Sequence, residues 1–330
     1  MTRALAMVSG GLDSILAAKL IKDQGIEVIG LCFKSYFFNE ENARRMVEQI
    51  GIKLEVVDFS EEHFEMVKNP KHGWGKNINP CIDCHAMMMR HSGRLLEEFN
   101  ADFIITGEVL NQRPMSQNKQ ALNMVRKESG FGNKILRPLC ALNLEPTEME
   151  VNGLVDRDKL MGISGRSRKI QIELADKWGI KDYPSPAGGC KLTEPNYSIR
   201  LRNELERKSN LTPKEIDLLK YGRHFVSSDN TTIIVSRTGE EGEALKKILD
   251  KEDIVFFPSS HKGAMAVIHG EATQKDKELA CKLAARYSKG KEEDKVTVKF
   301  GNFGTKFKDE FTIKPATESE INKFLIQEKK

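Results

Sequence analysis

The chain of 330 residues contains no apolar run that approaches the length of a membrane-spanning helix. It also lacks internal repeats and low-complexity tracts. Its first residues carry a single basic side chain, Arg3, and an apolar stretch that ends in glycines, which is typical of a buried strand and not of a secretory signal peptide. These absences argue against a membrane-spanning or secreted protein, and we expect a cytoplasmic protein with no membrane partner.

A strong excess of one charge is absent as well, since 52 basic side chains balance 48 acidic ones and the net charge is +4. Such a mild positive charge permits nucleic-acid binding without establishing it. The hydrophobic fraction of 39% and the charged fraction of 30% indicate a soluble globular protein. At this length we expect two or three domains.

Cysteine is scarce, and the six cysteines are not expected to form a disulfide framework in a reducing cytoplasm. Cys32, Cys140 and Cys281 lie in apolar surroundings, which predicts small buried side chains. Cys81 and Cys84 instead form a C-x-x-C pair directly after a long turn-rich segment. These two thiols are therefore candidates for chemistry.

The most informative motif is a glycine- and serine-rich segment between a strand-like run and a helix-like run. Its residues are Ser9, Gly10, Gly11, Leu12, Asp13 and Ser14. Glycines allow backbone N–H groups to approach an anion, and the following helix N-terminus adds partial positive charge. The serine hydroxyls can donate to phosphate oxygens, and Asp13 is expected to hold Mg²⁺ beside them. The segment lacks the signatures of a Walker A loop and of a dinucleotide fingerprint, and an ordinary Gly-Gly turn is the alternative.

Strand-like runs and helices alternate through the first part of the chain. Strands are predicted at residues 4–8, 27–33, 53–59 and 101–107, and helices at 13–24, 41–50 and 87–99. This alternation predicts an α/β fold, an open parallel sheet with helices on both faces. Such a sheet binds its ligand beyond the carboxyl ends of its strands, so the loops after residues 8, 33 and 106 are expected to converge on one site.

The pattern changes further along the chain, and three parts are expected. Residues 1–195 form the catalytic domain, residues 196–222 a helical linker, and residues 223–330 a smaller α/β domain. The β-like runs of the last part are predicted at 232–236, 254–258, 264–269 and 296–300. Its lysines are interspersed with Phe300, Phe303 and Phe307, a composition that suits RNA binding. Solvated lysines over a phenylalanine core are an equally weighted alternative.

Cys190, in a second turn-rich loop at residues 182–195, can supply a third thiolate to the C-x-x-C pair. The first hypothesis is an iron–sulfur cluster of the 4Fe-4S type held by Cys81, Cys84 and Cys190, with one iron left open. In the second, Cys190 accepts a persulfide that Cys81 or Cys84 resolves, and the third is a zinc site. Because the pair opens a helix, lowered thiol pKa values are predicted.

A second motif, at residues 106–117, narrows the class of protein that this chain resembles. Its sequence is T-G-E-V-L-N-Q-R-P-M-S-Q. Together with the glycine-rich segment and the paired cysteines, these residues resemble the PP-loop ATP pyrophosphatases, whose fold is of the adenine nucleotide alpha hydrolase-like type. The resemblance is closest to the tRNA 4-thiouridine synthetases, although Asn111 replaces a glycine of their motif and one residue is added between Gln112 and Ser116. The cysteine set looks more like that of the cluster-dependent tRNA 2-thiouridylases.

This resemblance implies an ATP site. Its phosphate and Mg²⁺ ligands would be Ser9, Gly10, Gly11, Leu12, Asp13 and Ser14. Cys32, Phe33 and Gly107 would contact adenosine, and Gln112 would lie near the nucleotide. The implied catalytic residues are Asp13, Cys81, Cys84 and Cys190.

The resemblance also implies tRNA as the partner. The 4-thiouridine synthetases usually begin with an RNA-binding domain, whereas the motif starts here at residue 9, so tRNA is expected to contact other parts of the chain. Residues 223–330 resemble the small RNA-binding domain sometimes appended to such enzymes. A basic cluster with Arg166, Arg168 and Lys169 is expected to hold tRNA phosphates.

The expected function is that of an ATP-dependent tRNA sulfurtransferase, which adenylates a uridine carbonyl oxygen and replaces it with sulfur. The expected cofactors are ATP, Mg²⁺ and a 4Fe-4S cluster, with Zn²⁺ or no metal as alternatives to the cluster. The sulfur donor is expected to be sulfide or a cysteine desulfurase, and a homodimer is left open. Alternative functions are a nitrogen-adding enzyme of the same superfamily, a persulfide-based thiolase without a cluster, and a non-catalytic RNA-binding protein.

Overall fold

The computed structural model describes residues 2–113, 115–185 and 189–327 of the chain. It divides into two compact units, Met1–Thr193 and Glu194–Lys330. The helices at residues 196–222, which the sequence suggests as a linker, belong to the second unit. Pro114 of the motif at 106–117 and residues 186–188 of the second loop lie outside the described residues.

The first unit is built on a five-stranded parallel sheet, which confirms the predicted fold class. Its strands are β1 (Arg3–Met7), β2 (Glu27–Lys34), β3 (Lys53–Asp58), β4 (Phe103–Thr106) and β5 (Ile135–Leu136). They run in the order β3-β2-β1-β4-β5, and Leu5 in the centre pairs with Ile29 on one side and Ile104 on the other. The order places β1 and its following loop in the middle of the sheet.

Helices cover both faces of this sheet. They are α1 (Leu12–Lys22), α2 (Glu41–Ile50), α3 (Ser60–Lys68), α4 (Cys81–Arg94), α5 (Lys119–Ser129), α6 (Glu148–Val151) and α7 (Lys169–Lys177). Because side chains alternate along a strand, Ala4 and Ala6 pack in one core with α1, whereas Leu5 packs in a second core with α4. The C-x-x-C pair opens α4, as predicted, so this helix begins at Cys81 and ends at Arg94, whereas the apolar pattern placed it at 87–99.

Two glycines bring the loops after β1 and β4 close to their neighbours. Gly10 has a φ of +78°, and a Cβ there would lie 2.6 Å from the backbone nitrogen of Ala43. A Cβ on Gly107 would lie 2.5 Å from the backbone of Ser14. Any side chain at either position would push these segments apart, so glycine is required for the approach.

The second unit contains a six-stranded sheet in which all neighbouring strands are antiparallel. Its strands are β6 (Arg223–Val226), β7 (Thr232–Val235), β8 (Asp253–Pro258), β9 (Ala266–His269), β10 (Val296–Asn302) and β11 (Asp309–Ile313). The order is β11-β10-β8-β9-β7-β6. The four predicted β-like runs correspond to β7–β10, and the edge strands β6 and β11 were not predicted.

Five helices complete the second unit. They are α8 (Pro195–Arg207), α9 (Pro213–Leu218), α10 (Gly239–Lys246), α11 (Gln274–Arg286) and α12 (Glu318–Phe324). Phe300 is buried against Phe256 in the main core, and Phe307 packs on Phe257. These rings are therefore structural, in agreement with the phenylalanine-core alternative. Across the described parts of both units, none of the helices combines the length and the apolar character that a membrane crossing requires.

Candidate functional site

A cavity of about 520 Å³ lies in the first unit, beyond the carboxyl ends of β1, β2 and β4. The predicted site residues that line it are Ser9, Gly11, Leu12, Asp13, Ser14, Cys32, Phe33, Cys81, Cys84, Gly107, Gln112 and Cys190. Gly10 belongs to the same loop but packs against the start of α2. The loops that the alternating pattern predicted to converge do so here.

The loop after β1 leads directly into α1, and no side chain caps the N-terminus of this helix. The Ser14 hydroxyl donates to the Gly11 carbonyl oxygen at 2.8 Å, and the Gly11 N–H approaches the Ser9 hydroxyl at 3.4 Å. An uncapped N-terminus leaves backbone N–H groups that can accept an anion as their partner. The loop therefore has the local structure of an anion-binding turn.

Asp13 is held by side chains from two other segments. Its Oδ2 accepts a hydrogen bond from Gln112 Nε2 at 2.6 Å, and Gln112 Oε1 accepts one from Gln171 Nε2 at 2.8 Å. The other carboxylate oxygen, Oδ1, is buried without a hydrogen-bond partner among the described residues. A buried carboxylate oxygen without a donor fits a cation ligand, so the residues present suit the Mg²⁺ expected at this position.

Arg168, which was predicted to hold tRNA phosphates with Arg166 and Lys169, lies in the same cavity. Its side chain is only 15% exposed, and Nη2 lies 3.6 Å from Asp13 Oδ1. The other two members of the predicted basic cluster, Arg166 and Lys169, are exposed. Charge pattern alone did not indicate which of these residues turns inward.

The three predicted thiols border one cavity although they come from distant parts of the sequence. Cys81 begins α4 and accepts a hydrogen bond from Asn79 Nδ2 at 3.2 Å. Cys84 is buried one turn later, and Cys190 comes from the second loop. Burial raises the pKa of Cys84 well above its usual range, and the nearby thiolates of Cys190 and Cys81 raise it further. The prediction of a lowered pKa is therefore wrong for Cys84, because burial outweighs the helix N-terminus.

The thiols fit a metal site in donor chemistry, because three cysteines are the ligands that an iron–sulfur cluster or zinc prefers. Across residues 2–113, 115–185 and 189–327, however, no three cysteine, histidine, aspartate or glutamate side chains are arranged to hold a metal ion. The three sulfurs therefore border the cavity without forming a preassembled metal site.

A buried histidine behind Cys84 was not predicted from the sequence. His63 Nε2 lies 3.2 Å from Cys84 Sγ, and its Nδ1 lies 2.8 Å from the Ser35 hydroxyl. The ring is fully buried and stacks on Phe59 with centroids 4.8 Å apart. Burial lowers the pKa of His63 to about 3, so the imidazole is neutral and orients the Cys84 thiol. His63 lies in a polar helix, and nothing in that local sequence indicates the contact.

A second buried polar cluster orients His85 at the cavity wall. Glu108 accepts hydrogen bonds from His85 Nδ1 at 3.1 Å and from Arg137 Nε at 2.8 Å. Burial alone would raise the pKa of Glu108, but the charge of Arg137 and the hydrogen bond from His85 outweigh it and lower that pKa to about 2. Glu108 is therefore ionised and fixes the ring of His85 beside the C-x-x-C pair.

The fold and the cavity define an α/β domain with a glycine-rich, anion-binding type of turn at the carboxyl edge of its parallel sheet. Residues 1–149 match a family model described as thiamine biosynthesis protein (ThiI), and residues 222–325 match one described as NFACT protein RNA binding domain. The first 149 residues are thus similar to the ThiI family, and residues 222–325 are similar to the NFACT RNA-binding domain.

Curated relatives are similar over part of their length. The tRNA-specific 2-thiouridylase MnmA of Malacoplasma penetrans is 25% identical over 63% of this chain and 61% of the relative. That of Marinobacter nauticus is 30% identical over 48% of each chain. A probable tRNA sulfurtransferase of Thermococcus kodakarensis is 30% identical over 43% of this chain and 38% of the relative. The chain thus spans less than two thirds of the length of these relatives.

Two solved structures are similar to parts of this chain, and their TM-scores are low. The U34-tRNA thiolase NcsA from Methanococcus maripaludis with its [4Fe-4S] cluster has a TM-score of 0.35 at 18% identity, over 66% of this chain and 73% of that one. A 4-thiouridine synthetase in complex with RNA and ATP also has a TM-score of 0.35, at 17% identity, over 54% of this chain and 52% of that one. At these TM-scores the likeness carries no argument about this chain.

Proposed function

We propose that this protein is an ATP-dependent tRNA thiolase, which activates a uridine carbonyl oxygen with ATP and replaces it with sulfur. One observation carries the proposal: the glycine-rich loop and the three thiols line the same cavity. A nucleotide bound at the loop and a sulfur atom at the thiols would both reach one substrate base. The curated names of the relatives, which include a 2-thiouridylase and a sulfurtransferase, point in the same direction.

In the first step, the uridine carbonyl oxygen attacks the α-phosphorus of ATP, and pyrophosphate leaves. Ser9, Gly11 and the N-terminus of α1 would bind the phosphates, and Asp13 would hold a Mg²⁺ ion that offsets their charge. Gln112 and Gln171 keep the Asp13 carboxylate in place by a chain of two hydrogen bonds. The product is a base that carries AMP as a leaving group.

In the second step, a hydrosulfide nucleophile attacks the activated carbon. A carbon–sulfur bond forms, the carbon–oxygen bond breaks, and AMP leaves with the electron pair of that bond. One proton is released, and no net oxidation or reduction occurs. The active-site residues need only place the sulfur beside the activated carbon.

The three thiols would hold a 4Fe-4S cluster in this proposal. Such a cluster, ligated by three cysteines, supplies an open iron that can bind the sulfur donor. The thiols must lose their protons to act as ligands, and metal binding supplies the driving force for that loss. His63 would keep Cys84 oriented through the contact at 3.2 Å. The persulfide route, with Cys190 as the carrier, is the alternative.

Recognition of tRNA is proposed for the second unit. Its described surface carries exposed lysines at positions on and around β10 and β11, namely Lys289, Lys291, Lys295, Lys299, Lys306 and Lys308. Clustered lysines bind phosphates irrespective of base sequence. The match of residues 222–325 to an RNA-binding family supports the same role.

The test is anaerobic purification of the full chain, followed by incubation with ATP, Mg²⁺, tRNA and sulfide. We expect a brown, iron-containing protein, release of pyrophosphate, and thiouridine in the tRNA by mass spectrometry. A colourless, iron-free protein that still thiolates tRNA would contradict the cluster. Absence of any thionucleoside, despite pyrophosphate release, would contradict thiolation itself.

A further inference from the structure

The side chain of Arg168 is largely buried in the cavity, and its guanidinium has N–H groups without a hydrogen-bond acceptor among the described residues. Its Nε is buried and has no hydrogen-bond partner among the described residues. The contact of its Nη2 with Asp13 Oδ1, at 3.6 Å, is too long for a hydrogen bond. Because a buried guanidinium without hydrogen bonds is costly, this arrangement indicates a missing acceptor.

Asp13, the nearby acidic side chain, does not provide the missing hydrogen-bond acceptor. Asp13 is already bound through Oδ2 by Gln112, and its buried Oδ1 also lacks a donor. Two opposite charges thus face each other across a gap, and neither completes its hydrogen bonds. A ligand that carries acceptors for Arg168 would satisfy the guanidinium, and Asp13 would become available for a cation.

The charges that line the cavity indicate the class of that ligand. Among the described lining residues, the lysine and arginine side chains are those of Arg113 and Arg168, and Arg113 is exposed. Arg168 is therefore the sheltered cation next to the loop that precedes α1. A planar guanidinium with several N–H donors matches the paired oxygens of a phosphate group.

The position of Arg168 is also fixed from its own helix. It directly precedes α7, and Gln171 in the first turn of α7 is fully buried and bonded to Gln112. The segment is thus connected to Asp13 twice, through the Gln171–Gln112 chain and through Arg168 itself. This connection keeps the guanidinium of Arg168 beside the glycine-rich loop.

We propose that Arg168 is a catalytic residue that binds phosphate oxygens of the nucleotide. The inference rests on the proposed use of ATP at this site. When the uridine oxygen attacks the α-phosphorus, negative charge grows on the phosphate oxygens, and a bound guanidinium stabilises it.

The experiment measures ATP and adenosine binding to the full chain by calorimetry in the presence of Mg²⁺. We expect Arg168→Ala to weaken ATP binding by about tenfold or more, since it removes charge-assisted hydrogen bonds, and to leave adenosine binding unchanged. Arg168→Lys should recover part of the loss. Arg94→Ala, which removes an exposed arginine at the end of α4, is the matched control and should bind both ligands as the wild type does.

Affinity for tRNA separates this role from binding of tRNA phosphates by the same side chain. If Arg168→Ala binds ATP normally but has reduced tRNA affinity, as expected of exposed Arg166→Ala, the assignment to the nucleotide is overturned. If Arg168→Ala does not fold, the neutral variant Arg168→Gln decides, because unchanged ATP affinity in that folded variant, with tRNA affinity reduced, also overturns it. A wild-type chain that binds no ATP would instead contradict the proposed function.

Discussion

The two units use their buried polar groups differently. In the first unit, Asp13, Gln117 and Arg168 line one cavity, and each has a buried atom without a hydrogen-bond partner among the described residues. The second unit also has buried atoms without a partner among the described residues, in Arg200, Glu204, His224 and Asp276, but each of these side chains makes a hydrogen bond through another atom. Its buried Asp253 accepts hydrogen bonds from both Lys214 and His269 within a packed network. Polar groups around a cavity can serve a ligand, whereas those in a packed network hold segments together. Substitutions in the first unit should therefore change chemistry, and those in the second should change stability or affinity.

The largest effect is expected for Asp13→Ala in the first unit. Loss of the carboxylate removes the proposed cation ligand, and pyrophosphate release should fall by about 100-fold or more. The measurement is release of pyrophosphate from ATP in the presence of tRNA. Asp23→Ala, at the other end of α1, removes an exposed carboxylate and is the control. Normal activity of the Asp13 variant would show that the phosphate site lies elsewhere.

The next largest effect separates sulfur insertion from nucleotide chemistry. Serine at Cys81, Cys84 or Cys190 should abolish thiouridine formation and leave ATP affinity near that of the wild type, because a serine hydroxyl is a poor ligand for iron and cannot carry persulfide sulfur. Cys140→Ser is the matched control, since Cys140 is buried and donates to the Glu108 carbonyl oxygen, a bond that serine retains. Thiolation by any of the three serine variants would exclude that thiol from the reaction.

A smaller, graded effect is expected for the lysines of the second unit. Each exposed lysine changed to glutamine, beginning with Lys291 and Lys306, should weaken tRNA binding several-fold. The slope of log K against log salt should fall by about one for each lysine–phosphate ion pair that the substitution removes. Binding titrations at several salt concentrations measure both quantities. An unchanged slope would show that tRNA binds away from this surface.

The smallest effect is on stability and concerns His224 in the second unit. Burial, assisted by the charge of Arg200, lowers the pKa of this ring to about 3, whereas an unfolded histidine titrates near ~6.5. The unfolded state therefore binds the proton more tightly between these values. The contribution of neutral His224 is complete above pH ~6.5 and is lost by about 1.4 kcal/mol per pH unit as the pH falls towards 3.

Denaturant unfolding of the full chain from pH 7 to pH 5 measures this effect. The free energy of unfolding of the wild type should fall more steeply with acid than that of His224→Asn, which has no titrating ring. Parallel curves for the two proteins would contradict the buried neutral state of His224.

Much of the first unit could be predicted because its signals are local. The alternation of apolar runs and helices predicted the parallel sheet, and the residues of the glycine-rich loop are adjacent in sequence. The chemistry of a third thiolate, and not a local signal, suggested that Cys190 joins the C-x-x-C pair, and all three border the cavity although they come from different segments. The periodicity of apolar residues predicted the sheet, and the position of its strand ends predicted where the loops converge.

The orientation of the Arg168 side chain towards the cavity could not be predicted, because the start of α7 exposes apolar residues and buries a polar one. Ile170 and Ile172 are each 44% exposed, whereas Gln171 between them is fully buried. Periodicity of apolar residues would orient this helix wrongly and leave the whole basic cluster on the surface. The contact of His63 with Cys84 likewise depends on packing between α3 and α4 rather than on local sequence.

The most direct measurement is the stoichiometry of the reaction catalysed by the purified chain. Pyrophosphate, AMP and thiouridine would be quantified together from one incubation with ATP, sulfide and unmodified tRNA. Thiolation of an adenylated uridine predicts equal amounts of all three, and no thiouridine when ATP is omitted. Release of AMP and pyrophosphate with a nucleoside in which nitrogen has replaced the carbonyl oxygen, or with unchanged tRNA, would contradict it.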